Sequence, residues 1–261
     1  AVIWIEVVQL VIYIGGAIAA AVVLIQNIDG GIAGAVEIGR QYDKFALFDF
    51  NLDFAKTYTF WGGVLGGCFL TMSTHGTDQF LVQRYLCTNK PRAAIAALMT
   101  SGAVVLGQFI GFLFIGVLLF AFYAPYGMPG YETATGAFPF TGGDKVFPDF
   151  ITQKMPTGLS GLVVAAIFAA ALSSSLNSIA ATAVNDIYKP FARVTSDKHL
   201  MKVAGILTVV VGIVQIAIAV GLRNANSSAL GMALSVASLI NGPILGVFLV
   251  GAFLKRAREV H

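Results

Sequence analysis

The sequence predicts an all-α integral membrane protein, and three observations carry that expectation. The chain is 57% hydrophobic and only 11% charged, with a mean hydropathy of +0.82, whereas a soluble domain has about 25% charged residues. Its apolar residues fall into six charge-free or nearly charge-free runs of membrane-spanning length. The loops between these runs alternate in charge, with ten of the sixteen Lys and Arg residues on one side.

The runs are Val7–Ile28, Thr57–Thr77, Ala93–Tyr123, Thr157–Asn185, Val203–Leu222 and Ser227–Leu254. They set spans of about 2–28, 57–82, 93–123, 157–187, 200–222 and 227–254 in a single transmembrane domain, residues 1–261. Arg84, Lys90 and Arg92 follow the second run, Lys189, Arg193, Lys198 and Lys202 the fourth, and Lys255, Arg256 and Arg258 the sixth. The alternate loops hold Asp29, Glu37, Asp43, Asp49, Asp53, Glu132, Asp144 and Asp149. Lys and Arg mark the cytoplasmic side, so the first helix starts inside and six crossings return the C-terminus to the cytoplasm, across a plasma or inner membrane. The chain starts inside a helix and stops just after one, as a fragment would. The outer loops, 29–56 and 124–156, are rich in Gly, Pro, Phe and Tyr and have room for short surface helices that the sequence does not resolve. The 29 glycines suit close packing of helices. Cys68 in an apolar run and Cys87 just beyond one are expected as free thiols.

Polar residues inside the spans are the candidates for function. The fourth run, AAIFAAALSSSLNSIAATAVNDIYKP at 165–190, carries Ser173, Ser174, Ser175, Asn177 and Ser178 between apolar flanks. On a helix Ala170, Ser173 and Ser174 lie at i, i+3 and i+4, on one face. Hydroxyls and freed carbonyls facing a bundle interior can bind a small cation; a serine-rich packing seam is the alternative. The second run turns polar at Thr71, Ser73, Thr74, His75, Gly76 and Thr77 after Gly62-Gly63 and Gly66-Gly67. Glycine weakens a helix, and interrupted helices at membrane depth are tolerated only beside protein or a cavity, so this stretch is expected to be interrupted and to line a binding site. Hydroxyls bonded back to their own helix are the competing reading. His75 is a candidate to carry a proton or bond a substrate, with a structural histidine bonded to a neighbouring helix as the competing reading. Glu6, at the start of the first span, is an intramembrane acid and a candidate by that fact. Gln108, Gln215 and Asn241 read as isolated amides bonding between helices.

With these residues in view, the chain resembles the sodium/solute symporter family, which includes sodium–glucose, sodium–iodide, vitamin and monocarboxylate transporters. The resemblance runs through AVIWIEVVQ at 1–9, GTDQFLVQRYL at 76–86, AAALSSSLNSIAATAVNDIYKP at 169–190 and GPILGVFLVGAFLKRARE at 242–259. It implies the five-plus-five inverted-repeat transporter fold, with this chain carrying core helices five to ten and the N-terminal helices of the same protein completing it. It implies a sodium site from Ala170, Ser173 and Ser174, in the register that keeps both hydroxyls; counting back from the LNS stretch instead puts Ala170 and Ala171 there. It also implies a second cation site at Glu6, with Ser175 and Ser178 near it. The positions that bind sugar in glucose transporters correspond to Val105 and Ser235, which disfavours a hexose and favours an organic anion or vitamin. The family's gating aromatic falls near Thr74.

The function these features imply is sodium-driven symport of a small organic solute by alternating access, with the solute meeting Thr71, Ser73, Thr74 and His75. Sodium is the one coupling ion expected; lipid and the solute are the partners, and nucleic acid is not. Proton coupling through His75 or Glu6 is the alternative on the same fold, and a transporter-like sensor domain is the alternative of another class. An enzyme is not expected, because the spans hold neither a metal-ligand cluster nor a nucleophile–base pair, and His75, His199 and His261 are scattered.

Overall fold

A computed structural model describes residues 2–53, 55–56, 58–78, 81–82, 88, 90–123, 140, 143–192, 196–222 and 228–254; within its helices the side chains at 2, 3, 5, 6, 169–175, 177 and 178 lie outside the described set. Among the described residues every regular element is helical. The helices are α1 (Val2–Asn27), α2 (Gly31–Gln41), α3 (Phe60–Gly76), α4 (Pro91–Tyr123), α5 (Val146–Gln153), α6 (Thr157–Thr182), α7 (Asp197–Leu222) and α8 (Ala229–Phe253). Two of them, α2 and α5, are short helices in the loops 29–56 and 124–156, where the sequence left room for them.

Local chemistry explains the starts of four of these helices. Thr59 caps α3 by accepting the Gly62 N–H at 3.1 Å, and Ser228 caps α8 through Gly231 at the same distance; such caps satisfy an otherwise orphaned first-turn donor. Pro91 opens α4, where a missing N–H costs nothing. The turn into α2 needs glycine, because Gly30 and Gly31 adopt φ of 75° and 59°, which a Cβ disfavours. A side chain at Gly34 would collide with the Asp29 carbonyl.

Two prolines act differently according to where they sit. Pro190 has no N–H to offer the carbonyl four residues back, and the end of α6 widens into a π segment, Ala183–Tyr188, before a last turn at Lys189–Ala192. There the Lys189 N–H donates to Val184, five residues back. Pro243, in the middle of α8, leaves that helix unbroken from Ala229 to Phe253.

The chain divides into two compact units, residues 1–26 with 139–226, and 27–138 with 227–261. In the first, α6 packs chiefly on α7 and also on α5. Its core includes Leu24, Phe150, Met155, Val163, Ala166 and Val184. Gly16 of α1 lies so close to Val163 of α6 that an added Cβ would sit 2.5 Å from Val163 Cγ2. In the second unit α3 packs on α8 and α2 on α4. Here Ala35, Ile115, Leu118 and Phe120 are buried, Gly39 lies close to Phe45 and Val117, Tyr42 meets Phe120 edge-on at 5.4 Å, and the Lys44 ammonium lies 4.4 Å from the centre of the same ring.

Among the described residues four helices are long and apolar enough to cross a membrane: Val7–Asn27 of α1, and α4, α7 and α8. The 17-residue α3 is just shorter, and α6 is apolar over Thr157–Phe168. Much of their apolar surface points outward, and α7 has no buried residue. In lipid that arrangement carries no penalty, since the solvent is as apolar as the side chains.

Candidate functional site

The polar turn of the second span is built differently from its expectation. The α3 helix is continuous from Phe60 to Gly76, through both glycine pairs, and irregular backbone begins only at Thr77 and Asp78. Glycine lowers helix propensity by about 1 kcal/mol, but unbonded peptide groups in hydrocarbon cost several kcal/mol each, so the backbone stays helical.

Spacing then divides α3 into two faces. Gly66, Leu70 and Ser73, at i, i+4 and i+7, line a cleft of about 390 Å³ shared with Asn241, Gly242 and Gly246 of α8. Ser73 is only 3% exposed, and its hydroxyl donates to the Asn241 main-chain carbonyl at 3.1 Å. This residue, expected on the substrate path, therefore ties α3 to α8. Asn241, expected to join helices through its side-chain amide, meets Ser73 through its main-chain carbonyl oxygen, which any residue supplies. The neighbouring hydroxyls bond within α3: Thr74 donates to the Leu70 carbonyl at 3.0 Å and Thr77 to the Ser73 carbonyl at 2.8 Å. This back-bonding is a common resting place for a helix hydroxyl. Thr71 is exposed and His75, in the last turn, is half-buried; with Thr74 they share a face at i, i+3 and i+4. Val105 lies exposed in α4, and Ser235, exposed in α8, donates to the Gly231 carbonyl at 2.8 Å.

The serine stretch lies within α6. The backbone at Ala170, Ser173, Ser174, Ser175 and Ser178 is helical, which keeps the i, i+3, i+4 spacing of the first three. The side chains of these five residues, and that of Glu6 in α1, lie outside the described residues. The donor set fits a hard cation such as sodium, because hydroxyl and carbonyl oxygens are the ligands such ions take. Among the described residues no group of His, Cys, Asp and Glu is arranged to hold a transition metal.

One contact went unread in the sequence. The Tyr188 hydroxyl lies 2.8 Å from His199 Nε2 and the rings stack with centroids 5.9 Å apart. The pair joins the end of the π segment to the first turns of α7, and a separation of 11 residues across a loop leaves no periodic signal. Cys68 is a free thiol, exposed on α3, and Cys87 lies outside the described residues.

The model of the sodium:solute symporter family matches residues 1–260. The sodium/sialic acid symporter NanT of Aliivibrio fischeri is 33% identical over 98% of this chain and 50% of its own length. SiaT of Proteus mirabilis, also a sodium/sialic acid symporter, is 33% identical over 98% of this chain and 51% of its own. The human sodium/iodide cotransporter is 29% identical over 97% and 39%. A solved structure of a Na+-coupled sialic acid symporter, substrate-bound and outward-open, superposes with a TM-score of 0.71 at 31% identity, covering 98% of this chain and 52% of that one. The chain thus spans about half the length of the curated relatives it matches.

Proposed function

The chain belongs to the sodium:solute symporter family, and from that premise we propose that the protein it forms is a sodium-driven symporter of a small organic anion, working by alternating access. The family is one of multi-pass membrane transporters, not enzymes, and sodium is its coupling ion. The observation that carries the proposal is the match over residues 1–260, which takes in the serine stretch of α6.

In this reading sodium binds the Ala170 carbonyl and the Ser173 and Ser174 hydroxyls, with helices outside residues 1–261 supplying the remaining ligands. A second cation site forms at Glu6 with Ser175 and Ser178. Solute meets α3 on the face of Thr71, Thr74 and His75, while Ser73 holds that helix against α8. Six crossings, in a five-plus-five repeat, leave residue 261 cytoplasmic. The membrane potential supplies about 2.3 kcal/mol per charge per 100 mV. An acid as solute is supported by the relatives named for sialic acid and monocarboxylates, and by Val105 and Ser235 standing where glucose transporters bind sugar.

The test is uptake of a labelled panel (sialic acid, short monocarboxylates, vitamins, glucose) by the full-length protein in vesicles, with and without an inward sodium gradient. Uptake of an acid that collapses without sodium supports the proposal. Uptake that persists without sodium and follows pH would instead move coupling to His75 or Glu6.

A further inference from the structure

The α3 helix has a second face, away from α8. Trp61, Val64, Leu65 and Met72, at i, i+3, i+4 and i+11, form one stripe, and all four are exposed. At its N-terminal end the stripe runs into a hook made by the preceding loop. Phe48 and Phe50 stack with centroids 5.7 Å apart, Phe60 packs against both at 5.9 and 4.9 Å, and Trp61 meets Phe60 edge-on at 5.2 Å. The Phe60 N–H donates to the Asp49 carbonyl at 2.8 Å, which fixes the hook to the start of the helix. Yet Leu47, Phe48, Phe50 and Leu52 remain 60–74% exposed.

We propose that this hook, residues 47–52, is an interfacial anchor that inserts its apolar side chains at the boundary between lipid headgroups and acyl chains. The occupant follows from continuity: the hook extends the uncovered apolar stripe of a helix in a multi-pass membrane protein. Its depth follows from its backbone. Irregular peptide groups facing lipid cannot enter the hydrocarbon, so the loop stays at headgroup level and only its side chains reach inward. Aromatic residues gather at this level in membrane proteins. Asp49 is paired to Lys56 at 3.4 Å and Asp53 accepts the Ala55 N–H at 2.9 Å, so residues 47–56 set two acids against one base and offer anionic lipid no excess of positive charge. Insertion is therefore driven by apolar contact and not by attraction to anionic lipid.

The test uses the full-length protein in phosphatidylcholine vesicles, with Phe50→Trp as the reporter and the native tryptophans replaced by Phe. The reporter is expected at a depth of about 5–10 Å, the headgroup–acyl boundary. Its fluorescence should then fall more with lipids brominated near the carbonyl end than with lipids brominated near the methyl end, and acrylamide in the water should quench it weakly. Leu47→Trp, outside the ring cluster, gives the same reading without disturbing the aromatic contacts. Quenching by acrylamide and not by lipid would place the hook in water and overturn the proposal. Quenching by neither would mean that another part of the protein or a second copy covers it, which overturns it equally. The reading does not depend on sodium or solute, so its outcome is separate from that of the transport assay.

Discussion

Two helices of this chain, α3 and α6, carry stretches of hydroxyl-bearing residues, and they invite opposite readings. In α3 the described hydroxyls of Ser73, Thr74 and Thr77 all find main-chain carbonyls, one on α8 and two within the helix. In α6 the hydroxyls are denser, three in a row at Ser173 to Ser175 with Ser178 a turn on, and they lie within the residues that the family's model matches. The lesson of α3 is that a polar run in an apolar helix is not by itself a binding site, because carbonyls four residues back absorb hydroxyls at little cost. The case for α6 rests on the combination of spacing with family membership.

Substitutions in the full-length protein separate the two. The largest effect is expected for Ser173→Ala with Ser174→Ala, which should raise the sodium concentration for half-maximal uptake by about tenfold or more, equivalent to about 1.4 kcal/mol of ion affinity. Unchanged sodium dependence would remove these residues from the site and put α6 in the same class as α3. Gly16→Ala is the packing control for α6: crowding Val163 should cost about 1–3 kcal/mol of stability, read as a lower unfolding temperature, with sodium dependence intact. Ser73→Ala should cost about 0.5–1.5 kcal/mol by removing one interhelical hydrogen bond, again without altering sodium dependence. A shift in sodium dependence there would erase the distinction between the stretches. Thr74→Val keeps the shape and loses a bond within the helix, so stability should change by about 0.5 kcal/mol or less; loss of uptake would show that this hydroxyl meets the solute.

The smallest expected effect lies in the loop before α3. The Asn51 N–H, with Lys56 adding to it, holds the Asp49 carboxyl below the ordinary aspartate range. A depressed value means that Asp49 supports the hook at neutral pH and that this support is lost as pH falls through the depressed value. Acidification below about pH 4 should alter the Phe50→Trp emission, and Asp49→Asn should abolish that change.

Much of the architecture was legible beforehand because lipid imposes simple rules. Helices are the economical way to satisfy backbone groups in hydrocarbon, so apolar runs became helices and the all-helical transporter fold could be read directly. Reading glycine pairs in α3 as a break failed for the same reason, since the cost of an unbonded peptide group in lipid exceeds the propensity of glycine. The widened turn at Ala183–Tyr188 was implicit in Pro190, yet the identical residue at 243 left α8 unbroken. Pro190 sits one residue into the closing turn, where the wider turn can form, whereas Pro243 lies mid-helix with ten residues of helix still to follow.

By itself, then, the sequence determined that the protein is helical, membrane-embedded and a member of a sodium-coupled transporter family, because composition, charge alternation and motif are local properties of the chain. Only the tertiary structure decided that Ser73 faces α8 while Thr74 folds back on its own helix, that Tyr188 meets His199, and that Phe48 and Phe50 close on Phe60. The partner of a side chain depends on which helix stands opposite it, and helix pairing joins residues as far apart as 73 and 241, a relation no periodicity in the chain encodes.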